Sequence, residues 1–232
     1  MNKKTKIYFL CLFITLLVTI AFGIITKNSF KGNIYFKELV GEDNLDDYQV
    51  QVYPVNEYFD NNITDIHDLE KKSNLIAKVQ VQEDRKLFLQ STKTKVKIIC
   101  KYHGSDDYKE GSIIYIEEPS VFLKGDSLTY DVTYGYQIME DNKEYIVFLK
   151  NLEKVDNYKY KNDEKYTFIP VSTLYAKYPL EKENVKVIEQ SKVEQGECKY
   201  GDIKNNSISS FKLEEVEKFK KFLNIIEQEY LK

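Results

Sequence analysis

An uncharged apolar run close to the start of the chain is the feature that most constrains its structure. The run extends from Ile7 to Ile25 and reads IYFLCLFITLLVTIAFGII. About 20 such residues in a helix match the roughly 30 Å hydrocarbon layer of a bilayer. In that layer a single apolar segment must be helical, because only a helix satisfies its own backbone polar groups. The sequence therefore predicts a transmembrane helix over residues 7–26.

The charges before this run predict its orientation. Lys3, Lys4 and Lys6 precede it, and positively charged residues favour the cytoplasmic side of a membrane. We therefore expect residues 1–6 to be a cytoplasmic tail and residues 7–26 to be a signal-anchor that stays in the membrane. The predicted location is the cell membrane, with a single pass, a cytoplasmic N-terminus and an extracytoplasmic main domain in the cell envelope.

Two other interpretations of the segment remain open. A cleaved signal peptide has a basic start, a short apolar core and small residues before the cut, and Ala21-Phe22-Gly23 supplies the small residues. The apolar run continues through Ile24 and Ile25, however, and this full spanning length favours a retained anchor. In a lipoprotein Cys11 would carry the lipid, but Tyr8-Phe9-Leu10 places bulky residues where small ones are needed.

The overall composition limits the partners and the fold class. Lys and Arg total 34 against 37 Asp and Glu, and Arg85 is the only arginine. Nucleic-acid binding needs a concentrated basic face, so we expect no nucleic-acid partner. The 19 tyrosines and 13 phenylalanines, together with Ile and Val, favour strands. The part of the chain after the membrane segment is therefore predicted to be mainly β, of the α+β class.

Alternating apolar residues after Ser73 predict a series of short strands. The alternation recurs in short runs from Leu75 to Lys150, and residues such as Gly and Asp mark the corners between them. Strands at short, regular intervals indicate a small antiparallel barrel or sandwich. The side chains predicted to face its interior are Val79, Val81, Val96, Ile98, Ile114, Ile146 and Phe148.

The remaining segments complete the predicted domain organisation. Residues 27–60 mix polar and aromatic residues and are predicted to be an extracytoplasmic stalk, residues 61–155 the β-barrel core, and residues 156–232 a C-terminal extension. The extension contains a predicted amphipathic helix over residues 211–231, because apolar residues recur there at intervals of three and four. We expect this helix to pack on the barrel through Leu213, Val216, Phe219, Leu223 and Ile226.

Four short motifs resemble a known pattern. They are Ser73-Asn74-Leu75-Ile76, Lys101-Tyr102-His103-Gly104, Lys109-Glu110-Gly111-Ser112-Ile113-Ile114 and Glu144-Tyr145-Ile146-Val147-Phe148-Leu149. The pattern is similar to that of membrane-anchored exported proteins of Gram-positive bacteria with no assigned function, in which Lys is more usual than His103. The resemblance implies a closed β-barrel of the oligonucleotide/oligosaccharide-binding (OB) type. Its motifs are corners and strands, so it implies no site residues.

Two sets of residues are candidates for a special role. Tyr130, Tyr134 and Tyr136 would form an aromatic platform for sugars or peptides if they share one exposed strand face; otherwise they are core residues. Cys100 and Cys198 would form a disulfide that closes a loop of about a hundred residues and contributes about 4–5 kcal/mol. The alternative is two unpaired thiols, with Cys100 a buried strand residue.

The sequence contains no catalytic motif. Gly-x-Ser-x-Gly, His-Glu-x-x-His, P-loop and Gly-x-Gly-x-x-Gly patterns are absent. His67 and His103 lie far apart, and the acidic turns lack the spacing of calcium loops, so we expect no metal and no cofactor. The expected function is a binding or interaction module at the cell envelope, with an envelope protein or glycan as partner. The alternative is an envelope hydrolase that uses paired carboxylates in a barrel cleft.

Overall fold

The computed structural model describes residues 2–29, 36–42, 44–152, 157–160, 162–181 and 184–231. The chain divides into two compact units, Met1–Asn33 and Ile34–Lys232. The helices are α1 (Lys3–Ser29), α2 (Phe36–Glu42), α3 (Ile66–Lys71), α4 (Gln190–Glu194), α5 (Tyr200–Ile203) and α6 (Leu213–Tyr230). The strands are β1 (Gln49–Tyr53), β2 (Leu75–Leu87), β3 (Thr92–His103), β4 (Ile113–Glu118), β5 (Ser120–Lys124), β6 (Leu128–Thr133), β7 (Glu144–Asn151), β8 (Thr167–Pro170) and β9 (Lys177–Pro179).

The first unit consists of the long apolar helix α1. Its segment Lys4–Thr26 has a mean hydropathy of 2.6 and no buried residue. At 1.5 Å per residue this length is enough to cross a hydrocarbon layer of about 30 Å. The hydroxyls of Thr15 and Thr19 donate to carbonyl groups of their own helix, at 2.9 and 2.8 Å, so both donors are satisfied without water. One helix of the described chain therefore fits a single membrane span, as predicted.

Five strands of the second unit close into a barrel. β2 pairs with β3, β3 with β4, β4 with β8 and β8 with β7, and β7 pairs in turn with β2. Four of these pairings are antiparallel, and the pairing of β4 with β8 is parallel. Around the barrel the order is first, second, third, fifth and fourth strand, which is an OB-like arrangement. The predicted OB-like barrel is confirmed, but its sheet is mixed rather than purely antiparallel.

The barrel extends beyond its predicted end at residue 155. Its fifth strand, β8, begins at Thr167 and lies in the segment that was expected to be a C-terminal extension. β8 has four residues, and all of them are buried. A short strand over residues 165–170 is compatible with the sequence, and β8 lies there. Because a short strand that is buried on both faces shows no alternation of apolar and polar residues, periodicity cannot assign it to the barrel.

An apolar cluster fills the barrel. Val79, Val81, Val96, Ile98 and Ile114 are completely buried in it, as predicted from the alternation. Lys97 lies between Val96 and Ile98 on the opposite face of β3 and is exposed. The predicted parity of β2, β3 and β4 is therefore correct. The other interior residues are Leu75, Ala77, Ile116, Met139, Tyr145, Val147, Leu149 and Phe168.

The predicted parity of β7 is wrong. Ile146 and Phe148 were expected inside the barrel, but they belong to a second apolar cluster on its outer face, whereas Tyr145 and Val147 point inward. β7 is buried on both faces over Tyr145–Leu149. Both alternating sets of side chains are therefore apolar, and the sequence pattern cannot show which set faces the interior.

The outer cluster is covered by the C-terminal helix α6. Phe219 of this helix stacks on Tyr178 of β9, with ring centroids 4.8 Å apart. Val216, Phe219 and Ile226 are buried as predicted. Leu213 is 63% exposed, because it is the first residue of α6 and lies outside the contact between the helix and the barrel. Phe222, which lies off the predicted stripe, is also buried. The predicted packing of a C-terminal helix on the barrel is thus confirmed.

A second sheet, in the order β1-β6-β5, packs its own apolar core. β5 and β6 follow β4 in the chain. β1, which lies about eighty residues before β6 in the sequence, pairs with it in parallel, with Gln49 opposite Thr129. Tyr48 and Val50 are buried in this core. The predicted stalk over residues 27–60 is therefore wrong for the residues around β1, because a single short strand finds its partner far away in the sequence. Residues 30–35 and 43 of that range lie outside the described residues.

A buried charged cluster joins the barrel to the segment after β6. Arg85 of β2 is 2% exposed, and its Nη1 lies 4.0 Å from Oε1 of the completely buried Glu118 at the end of β4. The Nε of Arg85 donates to Asp141 at 2.9 Å. The other carboxylate oxygen of Glu118 accepts hydrogen bonds from the hydroxyl of Tyr136 and the amide of Met139, both at 2.8 Å. Both buried charges are therefore paired and hydrogen-bonded.

Candidate functional site

A groove of about 790 Å³ lies between the barrel and the second sheet. Its volume falls within the range of small-molecule and peptide sites, roughly 300–1,000 Å³. We use "the groove" for the following described residues: Tyr53, Pro54, Asn56, Tyr58, Phe59, Leu89, Gln90, Ser91, Glu117, Pro119, Leu123, Asp131, Val132, Thr133, Leu152 and Ile169.

The β2–β3 turn, Leu152 after β7 and two prolines line the groove. The turn between β2 and β3 is closed by the Phe88 amide, which donates to the Ser91 carbonyl at 2.8 Å, and Leu89 at its tip is 78% exposed. The loop between β7 and β8 begins at Leu152. In OB-like barrels these two loops flank the face that binds ligands. Pro54 and Pro119 follow β1 and β4 directly, and each ends its strand because it has no N–H to donate.

The groove contains two carboxylates, each with a single hydroxyl neighbour. Oε1 of Glu117 accepts a hydrogen bond from the Ser91 hydroxyl at 2.7 Å. The Tyr53 hydroxyl lies 3.2 Å from Oδ2 of Asp131 and 3.0 Å from Oε1 of Gln51, so one proton serves two acceptors. The other oxygen of Asp131 is buried and has no hydrogen-bond partner among the described residues, so only the oxygen beside Tyr53 borders the groove. Burial and the Asp131 carboxylate raise the pKa of Tyr53, which keeps its hydroxyl protonated and donating.

The groove combines these acids with exposed rings. Tyr53 and Tyr58 are 47% and 50% exposed, although buried or half-buried positions are usual for tyrosine in a folded core. None of the described lining residues is Lys, Arg or His. The site is therefore an aromatic and apolar groove with negative charge and no compensating cation in its described walls.

The predicted tyrosine platform is not formed. Tyr130 and Tyr136 are buried in the core of the second sheet, with exposures of 0% and 1%. The Tyr130 hydroxyl accepts from the Ile138 amide at 3.1 Å, and the Tyr136 hydroxyl donates to Glu118. Tyr134 is half-buried, and its hydroxyl contacts Glu215 of α6. Tyr130 on β6 and Tyr136 after it are core residues, and Tyr134 is held against α6, so the three rings share no exposed face.

The predicted disulfide is also not formed. Cys100 and Cys198 are free thiols, because Cys100 lies on the barrel opposite Lys78, whereas Cys198 is buried in the core of the second sheet. The register of β2 and β3 shifts between Lys78 and Val79, so that Ile98 faces the barrel interior whereas Cys100 does not. This shift explains why Cys100 is only half-buried. Burial raises the pKa of Cys198 to about 11, so its thiol is protonated at neutral pH and unreactive.

The histidines and the acidic turns have local partners or are exposed. His67 lies 3.0 Å from Glu70, whose carboxylate raises the pKa of the imidazole, and His103 is exposed at the end of β3. In the acidic turn after β6, Glu140 pairs with Lys143 at 2.7 Å. Within the described ranges no three His, Cys, Asp or Glu side chains are placed to hold a metal ion.

No motif in the sequence predicts the groove as a site. Its charged and aromatic residues Tyr53, Tyr58, Glu117 and Asp131 come from separate segments and form no motif. The sequence offers only an indirect indication, because Pro54 and Pro119 predict the ends of the two strands that border the groove. Only the pairing of β1 with β6 brings Tyr53 and Asp131 together.

Comparisons of the chain with protein-family models, with curated proteins and with solved structures found no match. The groove, the OB-like barrel and the N-terminal apolar helix are therefore the features from which a function can be inferred. The barrel by itself indicates no function, because the same fold carries many unrelated activities.

Proposed function

We propose that this chain is a membrane-anchored module that binds a partner in its groove at the outer side of the cell membrane. The observation that carries the proposal is a concave groove lined by the β2–β3 turn and by two half-exposed tyrosines, Tyr53 and Tyr58. The module would belong among exported, anchored proteins like those of Gram-positive bacteria that its motifs resemble. Its partner would be a component of the cell envelope.

The proposed orientation places the N-terminus in the cytoplasm and the barrel outside. It is supported by Lys4 and Lys6 before the apolar segment of α1. We expect protease added to intact cells to remove an epitope tag placed after the last residue, while a tag before Met1 stays intact until the cells are lysed. A protected C-terminal tag would contradict this orientation. A mature protein that begins near Ile24 would show that the segment is a cleaved signal peptide.

Groove occupancy can be tested by photo-crosslinking of the full chain in the membranes of cells that produce it. We expect a photoreactive phenylalanine in place of Leu89, at the exposed rim of the groove, to give a discrete crosslinked product. The same group at Leu213 should give none, since Leu213 has a similar exposure but lies at the start of α6. Adding Tyr53→Ala and Tyr58→Ala should lower the Leu89 product about tenfold, because exposed tyrosines often dominate binding energy.

Two results would contradict groove binding. One is equal crosslinking from Leu89 and Leu213, which would indicate nonspecific contact with neighbouring molecules. The other is a Leu89 product that persists unchanged when both tyrosines are truncated. Thermal unfolding of each variant serves as the folding control, so that a lost product reflects the groove and not a lost fold.

A second candidate function is hydrolysis of an envelope glycan. The observation that favours it is the presence of two carboxylates, Glu117 and Asp131, in one groove of a barrel protein. Paired carboxylates cleave glycosidic bonds when one acts as the acid and the other as the base or nucleophile. Release of soluble fragments from purified cell-wall glycan, abolished by Glu117→Gln, would replace the binding proposal with this one.

A further inference from the structure

The charge of the groove points to the chemistry of its occupant. We propose that the groove binds a cationic peptide segment, in which a Lys or Arg is flanked by apolar side chains. This inference rests on the proposed function, since it identifies the class of partner for the same site.

The first argument is that the groove carboxylates are not neutralised. In the described part of the chain neither Glu117 nor Asp131 has an ion pair, and their side-chain hydrogen bonds come from neutral hydroxyl groups. Lys93 lies opposite Glu117 on β3, but its ammonium group pairs with Asp163 at 3.4 Å. Acids elsewhere on the domain do find cations: Asp60 lies 2.8 Å from Lys72, and Glu144 lies 2.9 Å from Lys78. A concave, partly apolar site lined by one sign of charge concentrates the field and attracts the opposite charge.

The second argument comes from the rings. A cation within about 6 Å of a tyrosine face is attracted by the ring quadrupole. The domain contains such contacts elsewhere. The ammonium group of Lys177 lies 5.4 Å from the centre of the Tyr136 ring. That of Lys93 lies 5.8 Å from the centre of the Tyr115 ring. No described Lys or Arg covers Tyr53 or Tyr58, so their half-exposed faces are left for a cation from a partner.

The third argument is the apolar remainder of the wall. The exposed Leu89 and the half-buried Leu123 lie among the polar groups of the groove. They offer contacts for the apolar neighbours of a basic residue in an extended peptide. An anionic polymer would face like charge here, which is unfavourable. A neutral glycan would stack on the tyrosines and donate hydroxyl hydrogen bonds to the carboxylates, but it carries no positive charge to compensate theirs.

The test uses the full chain in a neutral detergent and an array of short peptides of randomised sequence. We expect the bound peptides to be enriched in Lys and Arg. For the best of them, replacing the basic residue with Gln should weaken binding about tenfold, and added salt should weaken it further. The double variant Glu117→Gln/Asp131→Asn should lose both the enrichment and most of the affinity.

A matched control removes the same charge elsewhere. The double variant Glu217→Gln/Glu227→Gln lies on the exposed face of α6 and should bind the peptides like the unaltered chain. If Asp131→Asn lowers the unfolding temperature, Glu117→Gln alone carries the test, because among the described residues the Glu117 carboxylate has a single hydrogen bond, from the Ser91 hydroxyl.

Several outcomes would overturn the inference. These are enrichment of acidic or uncharged peptides, basic-peptide binding that the groove variants do not change, and no peptide binding at all. So would binding of a neutral chitin oligosaccharide that depends on Tyr53 and Tyr58 but not on the two acids. In each case a Leu89 crosslink that requires the tyrosines would still support groove binding, whereas loss of that crosslink would contradict the proposed function itself.

Discussion

Arg85→Ala should lower the free energy of unfolding by about 3–5 kcal/mol, the usual cost of removing one partner from a buried ion pair. Glu118 would remain completely buried, with hydrogen bonds from Tyr136, Met139 and Thr94 but without a cation. The substitution also empties the space beside Phe36, whose ring centre lies 5.1 Å from the guanidinium carbon. Urea unfolding of the full chain in neutral detergent, followed by circular dichroism, measures the change.

Two further variants show that the loss comes from an uncompensated charge. Arg85→Ala combined with Glu118→Gln should be more stable than the sum of the two single changes by about 1–2 kcal/mol, since the amide has no charge to neutralise. Lys220→Ala, an exposed position on α6, should change stability by less than about 0.5 kcal/mol. If Arg85→Ala costs less than about 1 kcal/mol, the pair is not buried as the structure places it.

The local parts of this fold were predictable because they follow simple periodicities. The uninterrupted apolar run predicts α1, and alternation predicts the interior faces of β2, β3 and β4, where Lys97 marks the solvent side. The stripe with intervals of three and four predicts α6. In each of these elements one face is apolar and the other is polar, so the sequence specifies its orientation as well as its type.

The long-range parts were not predictable for equally physical reasons. β8 is too short and too buried to show a period, and β1 pairs in parallel with a strand about eighty residues later. The groove depends on both. The prediction of a tyrosine platform was wrong because aromatic residues that alternate along a strand have the same sequence pattern whether their face is exposed or buried. The tyrosines that line the groove, Tyr53 and Tyr58, have no local sequence pattern that sets them apart.

Phe148 provides the sharpest test of where the barrel ends and the helix contact begins. Phe148→Ala should cost about 3–5 kcal/mol, because the side chain is completely buried and its removal leaves a cavity. The ring lies between β7 and α6, with edge contacts to Tyr178 at 6.0 Å and to Tyr230 at 5.9 Å. Lys97→Ala on the exposed face of β3 is the control and should cost little.

A double-mutant cycle then distinguishes the two faces of β7. Phe148→Ala and Tyr230→Ala should couple by about 0.5–1.5 kcal/mol, the range for an aromatic pair, whereas Val147→Ala and Tyr230→Ala should be additive within about 0.5 kcal/mol. Val147 points into the barrel and so has no reason to depend on the helix. Coupling of Tyr230 with Val147 instead of Phe148 would mean that the register of β7 is shifted by one residue, which would exchange its inner and outer faces. Additivity in both cycles would mean that α6 does not cover β7.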